Sequence, residues 1–148
     1  MKIGIAADHG GFELKQLLLP FLEFNGFEVV DFGAFDFNSL DDYPDFVIPL
    51  ARALADKTIE RGIAICGSGV GACIAANKIN KVRACLINDH FSAHQGVEDD
   101  DMNMLCLGGR VTGSSAAMEI IEAFLKATFT NAERHVRRLM KVASLEIK

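Results

Sequence analysis

Short apolar runs alternate along the chain with longer stretches in which apolar residues recur at helical spacing. The short runs end at glycine or polar residues, a pattern typical of buried strands. They predict β-strands at residues 3–7, 27–30, 63–66, 82–87 and 104–107. The longer stretches predict helices at residues 12–24, 43–57, 72–79, 92–97, 114–127 and 132–147. Asp42 precedes the second helix as a possible N-cap, and the polar, turn-rich segment 31–42 predicts a loop.

This alternation predicts one α/β domain that spans residues 1–148. Apolar strands separated by helices form a parallel sheet with helices on both faces, so we expect a doubly wound, three-layer α/β/α sandwich. Ligands of such sheets bind beyond the carboxyl ends of the strands, where the strand order reverses. In a flavodoxin-like arrangement the first and third strands flank that point. Asp8, His9 and the loop that begins at Cys66 are therefore expected to lie together.

The composition is that of an ordinary globular protein, with 50% hydrophobic and 24% charged residues. The 15 Lys and Arg residues against 20 Asp and Glu give a formal charge of −5, which argues against nucleic acid or an anionic membrane surface as partner. Apolar runs are shorter than the roughly 18 residues of a membrane span, and the N-terminus resembles a strand rather than a signal peptide. Four cysteines without a C-x-x-C pair favour a reduced, cytoplasmic protein.

A glycine-rich loop follows Cys66, with glycine at positions 67, 69 and 71. Such a loop can point several N–H groups at one spot and so favours an anion, although a tight turn without a ligand is the other interpretation. The spacing is not that of the dinucleotide fingerprint, and no Walker lysine follows. Cys66 itself could be a thiolate that acts as base or nucleophile, or a small buried side chain. The second interpretation is the one we predict for Cys73, Cys85 and Cys106.

Two further groups of residues could carry chemistry. Asp8 and His9 offer a carboxylate and an imidazole at a strand end, or else a helix cap and a solvent-facing ring. Arg134 and Arg138 are four residues apart on one helical face and suit a phosphate, as does Arg110 after the fifth strand, although a charge run is usually a solvated face.

A metal site is a weaker possibility. His90 and His94 are four residues apart, and the acidic residues 99–101 follow them. Acidic runs are usually solvated, so we predict no metal and no cofactor.

Taken together, these motifs resemble ribose-5-phosphate isomerase B and its relatives, the galactose-6-phosphate isomerase subunits. The matching segments occur in the family's order and cover nearly the whole chain: residues 7–15, 42–44, 65–71, 75–78 and 107–111, and Arg134-His135 with Arg138. The resemblance implies a Rossmann-like sheet in the order 2-1-3-5-4 and a homodimer or homotetramer. It also implies a metal-free aldose–ketose isomerisation of a phosphorylated sugar through a cis-enediolate.

The resemblance assigns the proton transfer to the loop after the third strand. The Cys66 thiolate moves a proton between C1 and C2, and the Ser68 hydroxyl assists. The enediolate oxygen is held by backbone N–H groups of the loop, namely those of Gly67, Gly69 and Gly71. Another branch of the family uses a glutamate as base at the position of Ala72, which cannot take a proton, so Cys66 is the candidate base here.

The resemblance also assigns the binding residues. Asp8 binds sugar hydroxyls, and Tyr43 lies against the sugar. The phosphate is held by four basic side chains, some of them from the neighbouring subunit: His9, Arg110, Arg134 and Arg138.

One departure from the family concerns opening of the sugar ring. Asp99 and Asp100 stand where the family has His-Asn, and that histidine opens the ring. Burial or crowding of Asp99 could compensate, His94 could take the role, or the substrate could be a sugar that stays open, such as a tetrose 4-phosphate. Ribose 5-phosphate is the expected substrate. The alternatives are galactose or allose 6-phosphate, a tetrose 4-phosphate, or a non-catalytic sugar-phosphate-binding module, which needs no thiolate.

Overall fold

The computed structural model describes residues 1–146. In this part of the chain the strands are β1 (Lys2–Ala7), β2 (Glu28–Asp31), β3 (Arg61–Cys66), β4 (Ala84–Leu86) and β5 (Met104–Gly108). The helices are α1 (Phe12–Phe24), α2 (Tyr43–Ala55), α3 (Val70–Ala76), α4 (His90–Asp100), α5 (Ser114–Lys126) and α6 (Glu133–Ala143).

The strands form one parallel sheet in the order β2-β1-β3-β5-β4, which confirms the predicted fold class and strand order. In the central strands Ile5 lies opposite Ile63, and Ile63 lies opposite Leu105; all three are fully buried. Strands buried on both faces are continuous apolar runs, which is why the sequence pattern locates them. Because the strands are parallel, the carboxyl ends of β1, β3 and β5 share one edge of the sheet.

Helices cover both faces of the sheet. On one face α1, α4 and α5 contribute a core that includes Leu18, Val97 and Phe124. On the other face α2 and α3 contribute a core that includes Leu50 and Ala72. Burial of one large apolar side chain stabilises the fold by roughly 1.5–3 kcal/mol, so the two cores hold the strand ends rigidly in place. The last helix, α6, packs outside these layers against α4.

Two elements differ from their predicted ends for identifiable reasons. Helix α4 extends beyond the predicted 92–97 because Asp89 caps it, accepting the Ser92 N–H at 2.7 Å, and because its polar second half has no apolar signal. Strand β4 is shorter than the predicted 82–87. The Val82 N–H donates to Ile79 in a turn, and the Arg83 N–H donates to the Asn103 side chain at 2.8 Å.

The remaining differences are small. Helix α3 begins two residues before the predicted 72 and ends at Ala76, and α2 ends at Ala55. Helix α6 ends at Ala143 with Ser144 as its C-cap, short of the predicted 147, a position that lies outside the described residues. Asp42 occupies the N-cap position of α2, but its side chain makes no capping hydrogen bond. Within the described residues, no helix has the length and apolar character needed to cross a membrane.

Candidate active site

A cavity of about 410 Å³ lies at the carboxyl edge of the sheet. This volume is in the range of small-molecule sites. Its lining comes from residues that follow β1, β3 and β5 and from the start of α2: Asp8, Tyr43, Cys66, Gly67, Ser68, Gly71, Arg110 and Val111. The fold therefore brings together most of the residues that the sequence singled out. A wider cavity of about 770 Å³ runs along α6 and is lined by none of them.

The loop after β3 surrounds the Cys66 thiol. Cys66 is buried, and its Sγ accepts the backbone N–H of Gly69 at 3.1 Å. Gly69 has a φ of 82°, and a Cβ there would lie 2.6 Å from Leu86 Cδ1 and 2.9 Å from the carbonyl carbon of Leu107. The loop can thus approach the sulfur only because this residue has no side chain.

The other side of the loop faces the cavity. Ser68 is exposed there, and its Oγ accepts the Val70 N–H at 3.3 Å. A Cβ at Gly71 would lie 2.7 Å from the Tyr43 ring, so the ring packs directly on the loop backbone. The Arg110 guanidinium also packs near this backbone, since a Cβ at Gly67 would lie 3.5 Å from its Nη1. A phenol, a hydroxyl and a guanidinium therefore surround the mouth of the cavity.

Asp8 and His9 lie at the end of β1, as predicted. Asp8 is buried, its Oδ1 accepts the Gly10 N–H at 2.8 Å, and burial raises the pKa of its carboxyl despite that hydrogen bond. His9 is held by Asp41, whose Oδ1 lies 2.7 Å from His9 Nδ1 and accepts the His9 backbone N–H at 2.9 Å. The other Asp41 oxygen, Oδ2, is buried and has no hydrogen-bond partner among residues 1–146. Asp8 does not cap α1, whose N-cap is Gly11.

The two arginines that the sequence assigns to a phosphate lie away from the cavity, on α6. Arg134 and Arg138 are exposed on α6, and neither lines the cavity. Arg134 Nε lies 3.0 Å from Nε2 of His135. His135 is buried, and its Nδ1 has no hydrogen-bond partner in the part of the chain that the structure describes. The same Nε2 lies 3.3 Å from Asp99 Oδ1. Asp99 precedes β5 and therefore lies toward the amino edge of the sheet, away from the Cys66 end.

The two candidates for ring opening are both engaged in their own chain. Asp99 contacts His135 through Oδ1, and its Oδ2 accepts the Gln95 amide at 2.8 Å. His94 Nδ1 lies 3.0 Å from Glu98 Oε2. Neither residue lines the cavity.

The side chains that could together hold a metal ion lie at and after the end of β1 rather than on α4. In residues 1–146, one group of three side chains has its ligand atoms within 4.8 Å of one another: Asp8, His9 and Asp41. His90 and His94 contact each other through their rings, with centroids 5.6 Å apart, but do not belong to such a group.

Comparison with known proteins decides the family. The family model described as Ribose/Galactose Isomerase matches residues 3–142. The chain belongs to the ribose/galactose isomerase family. It is 40% identical to a probable ribose-5-phosphate isomerase B of Mycoplasma pneumoniae, over 97% of this chain and 94% of that protein. It is 37% identical to a D-erythrulose-4-phosphate isomerase of Pectobacterium atrosepticum, over 87% of this chain and 85% of that protein.

A solved family structure has the same fold. The ribose-5-phosphate isomerase B of Mycoplasma genitalium, in a crystal structure with bound ribulose 5-phosphate, has a TM-score of 0.92 and 40% identity. The alignment covers 97% of this chain and 94% of that one. The resemblance stated from the motifs is thereby confirmed.

Two residues of this family member were missed by the sequence interpretation. Asp41 is 32 residues from its partner His9 and lies in a turn-rich segment without periodicity, so no local signal links the two. His135 stands among exposed basic residues, and only the packing of α6 on α4 reveals that it is buried against Asp99.

Proposed function

We propose that the chain is an aldose–ketose isomerase that interconverts ribose 5-phosphate and ribulose 5-phosphate, acting as a single domain. The proposal is supported by membership of the family, by the names of its relatives and above all by one observation. The Cys66 sulfur lies in a sugar-sized cavity and accepts an N–H hydrogen bond from a glycine that no other residue could replace. A module that only binds sugar phosphate has no use for a thiolate in this position.

In the proposed reaction the thiolate moves one proton. Cys66 takes the proton from C2 of the open-chain aldose, and the electron pair forms the C1–C2 double bond of an enediolate. The proton then returns from sulfur to C1, while the C2 hydroxyl proton moves to the former carbonyl oxygen. The N–H groups of Gly67 and Gly71 and the Ser68 hydroxyl stabilise the negative oxygen, whereas the Gly69 N–H donates to Cys66. The charge on this oxygen develops only along the reaction path. Asp8 binds sugar hydroxyls, and Tyr43 packs on the sugar.

The phosphate is bound by cations from two chains in this proposal. Arg110 lines the cavity of one chain and His9 follows the lining residue Asp8, whereas Arg134 and Arg138 lie outside the cavity on α6. A second copy of the chain supplies these two arginines, so the active unit is a homodimer or a larger assembly of homodimers. Exposed apolar residues beside the loop, such as Val70 and Ile74 on α3, support burial by that copy.

The catalytic assignment is tested with Cys66→Ala. We expect a loss of about 10²–10⁴-fold in kcat for ribose 5-phosphate with retained substrate affinity, because a positioned base typically contributes this much. Cys85→Ala is the matched control, since Cys85 lies against the opposite face of the sheet. Turnover by Cys66→Ala at the wild-type rate would refute the proposal.

The shared site is tested by mixing inactive variants. Cys66→Ala and the double variant Arg134→Ala, Arg138→Ala are each inactive in this proposal. Their coexpression should restore about a quarter of wild-type activity, since half of randomly formed dimers are mixed and each has one intact site. No recovery in mixed dimers isolated with two affinity tags would contradict a site built from two chains.

We further propose that the reaction needs no metal or cofactor and takes place in the cytoplasm. The thiolate and the loop N–H groups provide base and anion stabilisation, and free thiols suit a reducing compartment. Full activity after dialysis against a strong chelator is the expected result. Loss that a single divalent ion restores would instead assign a metal to Asp8, His9 and Asp41.

A tetrose 4-phosphate is the second candidate substrate. Both oxygens of Asp99, which stands at the position of the family's ring-opening histidine, are occupied by contacts within the chain. A tetrose 4-phosphate cannot close a furanose through its phosphorylated oxygen and needs no ring opening. One relative, from Pectobacterium atrosepticum, is named for this class of substrate.

A further inference from the structure

Lys15 on α1 is the only buried lysine or arginine in residues 1–146. Its ammonium group donates to Asp31 Oδ1 at 2.7 Å, to Asp31 Oδ2 at 2.8 Å and to the Ala34 carbonyl at 2.7 Å. An ammonium group has three N–H donors, so all of them are used. The Lys15 side chain is 0% exposed, whereas that of Asp31 is 25% exposed. The proposed reaction gives neither residue a role.

Stability alone does not account for this ion pair. Apolar side chains of similar volume can often replace a buried ion pair without loss of stability, whereas removal of one partner is costly because it leaves a buried charge. The distinctive property of the pair is the geometry that it imposes. Lys15 belongs to α1, whereas its acceptors lie at the end of β2 and just after it, so the pair fixes the point at which the chain leaves β2.

The segment between β2 and α2, residues 32–42, is attached to the sheet at its start. The Ala7 N–H, at the end of β1, donates to the Gly33 carbonyl at 2.8 Å, and the Ala34 N–H donates to the Ala7 carbonyl at 2.6 Å. Lys15 holds the same point from the side of the helix, through the Ala34 carbonyl. The start of the segment is therefore fixed by both the strand and the helix that precede the cavity.

The far end of the same segment holds a residue of the site. Residues 35–40 are all exposed, and within them the Phe37 ring contacts the edge of the Phe12 ring, with centroids 6.0 Å apart. Asp41 then turns back to His9, whose backbone N–H it accepts at 2.9 Å and whose Nδ1 lies 2.7 Å from its Oδ1. Because exposed residues have little packing to hold them, the position of Asp41 depends on where the segment starts.

We propose that Lys15 is a positioning residue for the phosphate-binding side chain of His9. Lys15 fixes the start of the segment through Asp31 and Ala34, the segment places Asp41, and Asp41 orients the imidazole. The structural part of this proposal concerns the protein without a ligand. Its effect on turnover rests on the proposed function, in which His9 binds the phosphate of the sugar.

The kinetic test uses Lys15→Met together with the double variant Lys15→Met, Asp31→Leu, which buries no unpaired charge and serves if the single variant fails to fold. Both should raise KM for ribose 5-phosphate about tenfold with little change in kcat, as expected for loss of a hydrogen bond to a charged group. Lys126→Met is the matched control, because Lys126 forms an ion pair of 2.7 Å with Glu122 on α5. Leu18→Ala removes a fully buried side chain of α1 and should lower stability without raising KM. An unchanged KM in the Lys15 variants overturns the proposal.

A double-mutant cycle separates positioning from a general loss of structure. Asp41→Ala alone should raise KM about tenfold, and the addition of Lys15→Met should raise it by no more than about twofold further, because Lys15 acts through Asp41. Two independent effects would instead multiply to about a hundredfold. That result would overturn the proposal.

Hydrogen exchange at the His9 backbone amide tests the same contact without substrate. In wild type this N–H donates to Asp41. In the Lys15 variants it should exchange at least about tenfold faster, relative to the amide of the buried Ile63, and in Lys126→Met at the wild-type rate. Unchanged protection of the His9 amide overturns the proposal whatever the substrate is. Absence of turnover in wild type would refute the proposed function instead, and the exchange of His9 would still decide the role of Lys15.

Discussion

Asp41 illustrates how one carboxylate can fix the orientation of a histidine that is distant in sequence. Its Oδ1 engages both the backbone and the ring of His9, so the imidazole is fixed with Nδ1 toward the carboxylate and Nε2 free for a ligand. Asp41 itself is a positioning residue, because it does not line the cavity. Its effect on the reaction must therefore pass through His9.

Asp41→Ala is expected to raise KM for the sugar phosphate about tenfold with little change in kcat. Hydrogen bonds to charged groups contribute roughly 1.5–3 kcal/mol, and their loss frees the imidazole to rotate. Asp41→Asn, which keeps an acceptor oxygen, should recover part of the affinity. Asp36→Ala, an exposed aspartate of the same loop, is the control. Steady-state kinetics that show a fall in kcat alone would argue against the positioning role.

Asp8 predicts a specific dependence of stability on pH. Its pKa is 3.8 in the unfolded chain and is raised in the folded state by burial, so the folded state holds the proton more tightly. The contribution of this proton to the free energy of unfolding is fully present below pH 3.8. It is lost as the pH rises through the pKa that Asp8 has in the folded state. Asp8→Asn cannot ionise and still offers an oxygen to the Gly10 N–H. It should therefore unfold with a higher free energy than wild type at pH 7.

The measurement for Asp8 is urea unfolding across the acid range. The advantage of Asp8→Asn should shrink on acidification and vanish below pH 3.8, where both side chains are neutral. If Asp8→Asn were more stable than wild type by the same amount at every pH, the difference in free energy of unfolding would come from packing rather than from the charge of Asp8. Loss of turnover in the same variant would show that the buried charge is kept for binding rather than for stability.

At the scale of the element, the loop between β3 and α3 depends on Gly69. Gly69→Ala should destabilise the fold by about 2 kcal/mol or more and lower kcat at least tenfold, because a Cβ clashes with Leu86 and Leu107 and the loop must leave Cys66. Urea unfolding and kcat measure the two effects.

Gly26 provides a matched control for this prediction. It has the same φ of 82°, but a Cβ there would have nothing within 4 Å. Gly26→Ala should cost about 1–2 kcal/mol from the backbone conformation alone and leave kcat unchanged. Equal effects of the two substitutions on stability would mean that the packing of the loop contributes nothing.

For the whole molecule, a feature could be predicted from the sequence when it depends on residues close together in the chain. The buried strands could be predicted from their apolar runs. The location of reactive side chains at the strand ends could be predicted too, because Asp8, Cys66 and Arg110 each stand at the end of such a run. The polar half of α4 could not be predicted, because it lacks the apolar stripe by which helices are located in a sequence. Contacts between distant segments, such as Asp41 with His9, leave no local pattern at all.

Substrate choice tests the molecule as a unit. The proposed reaction makes ribose 5-phosphate the better substrate. The second candidate, in which Asp99 is occupied by contacts within its chain and opens no ring, predicts instead that erythrose 4-phosphate is isomerised with a kcat/KM at least as high as that of ribose 5-phosphate. His94→Ala should change neither value. Coupled assays with both sugars decide this. A typical enzymatic rate on ribose 5-phosphate alone would exclude the short sugar, and a selective loss of that rate in His94→Ala would assign ring opening to His94.

The contact between Asp99 and His135 also has a consequence for the time course of the reaction. If neither side chain opens the ring, the enzyme consumes the free aldehyde of an equilibrated ribose 5-phosphate solution in a rapid burst. Further product then forms only as fast as water opens the remaining rings. Doubling the amount of enzyme would shorten the burst and leave the later phase unchanged, so flux would be set by the chemistry of the sugar rather than by the abundance of the protein.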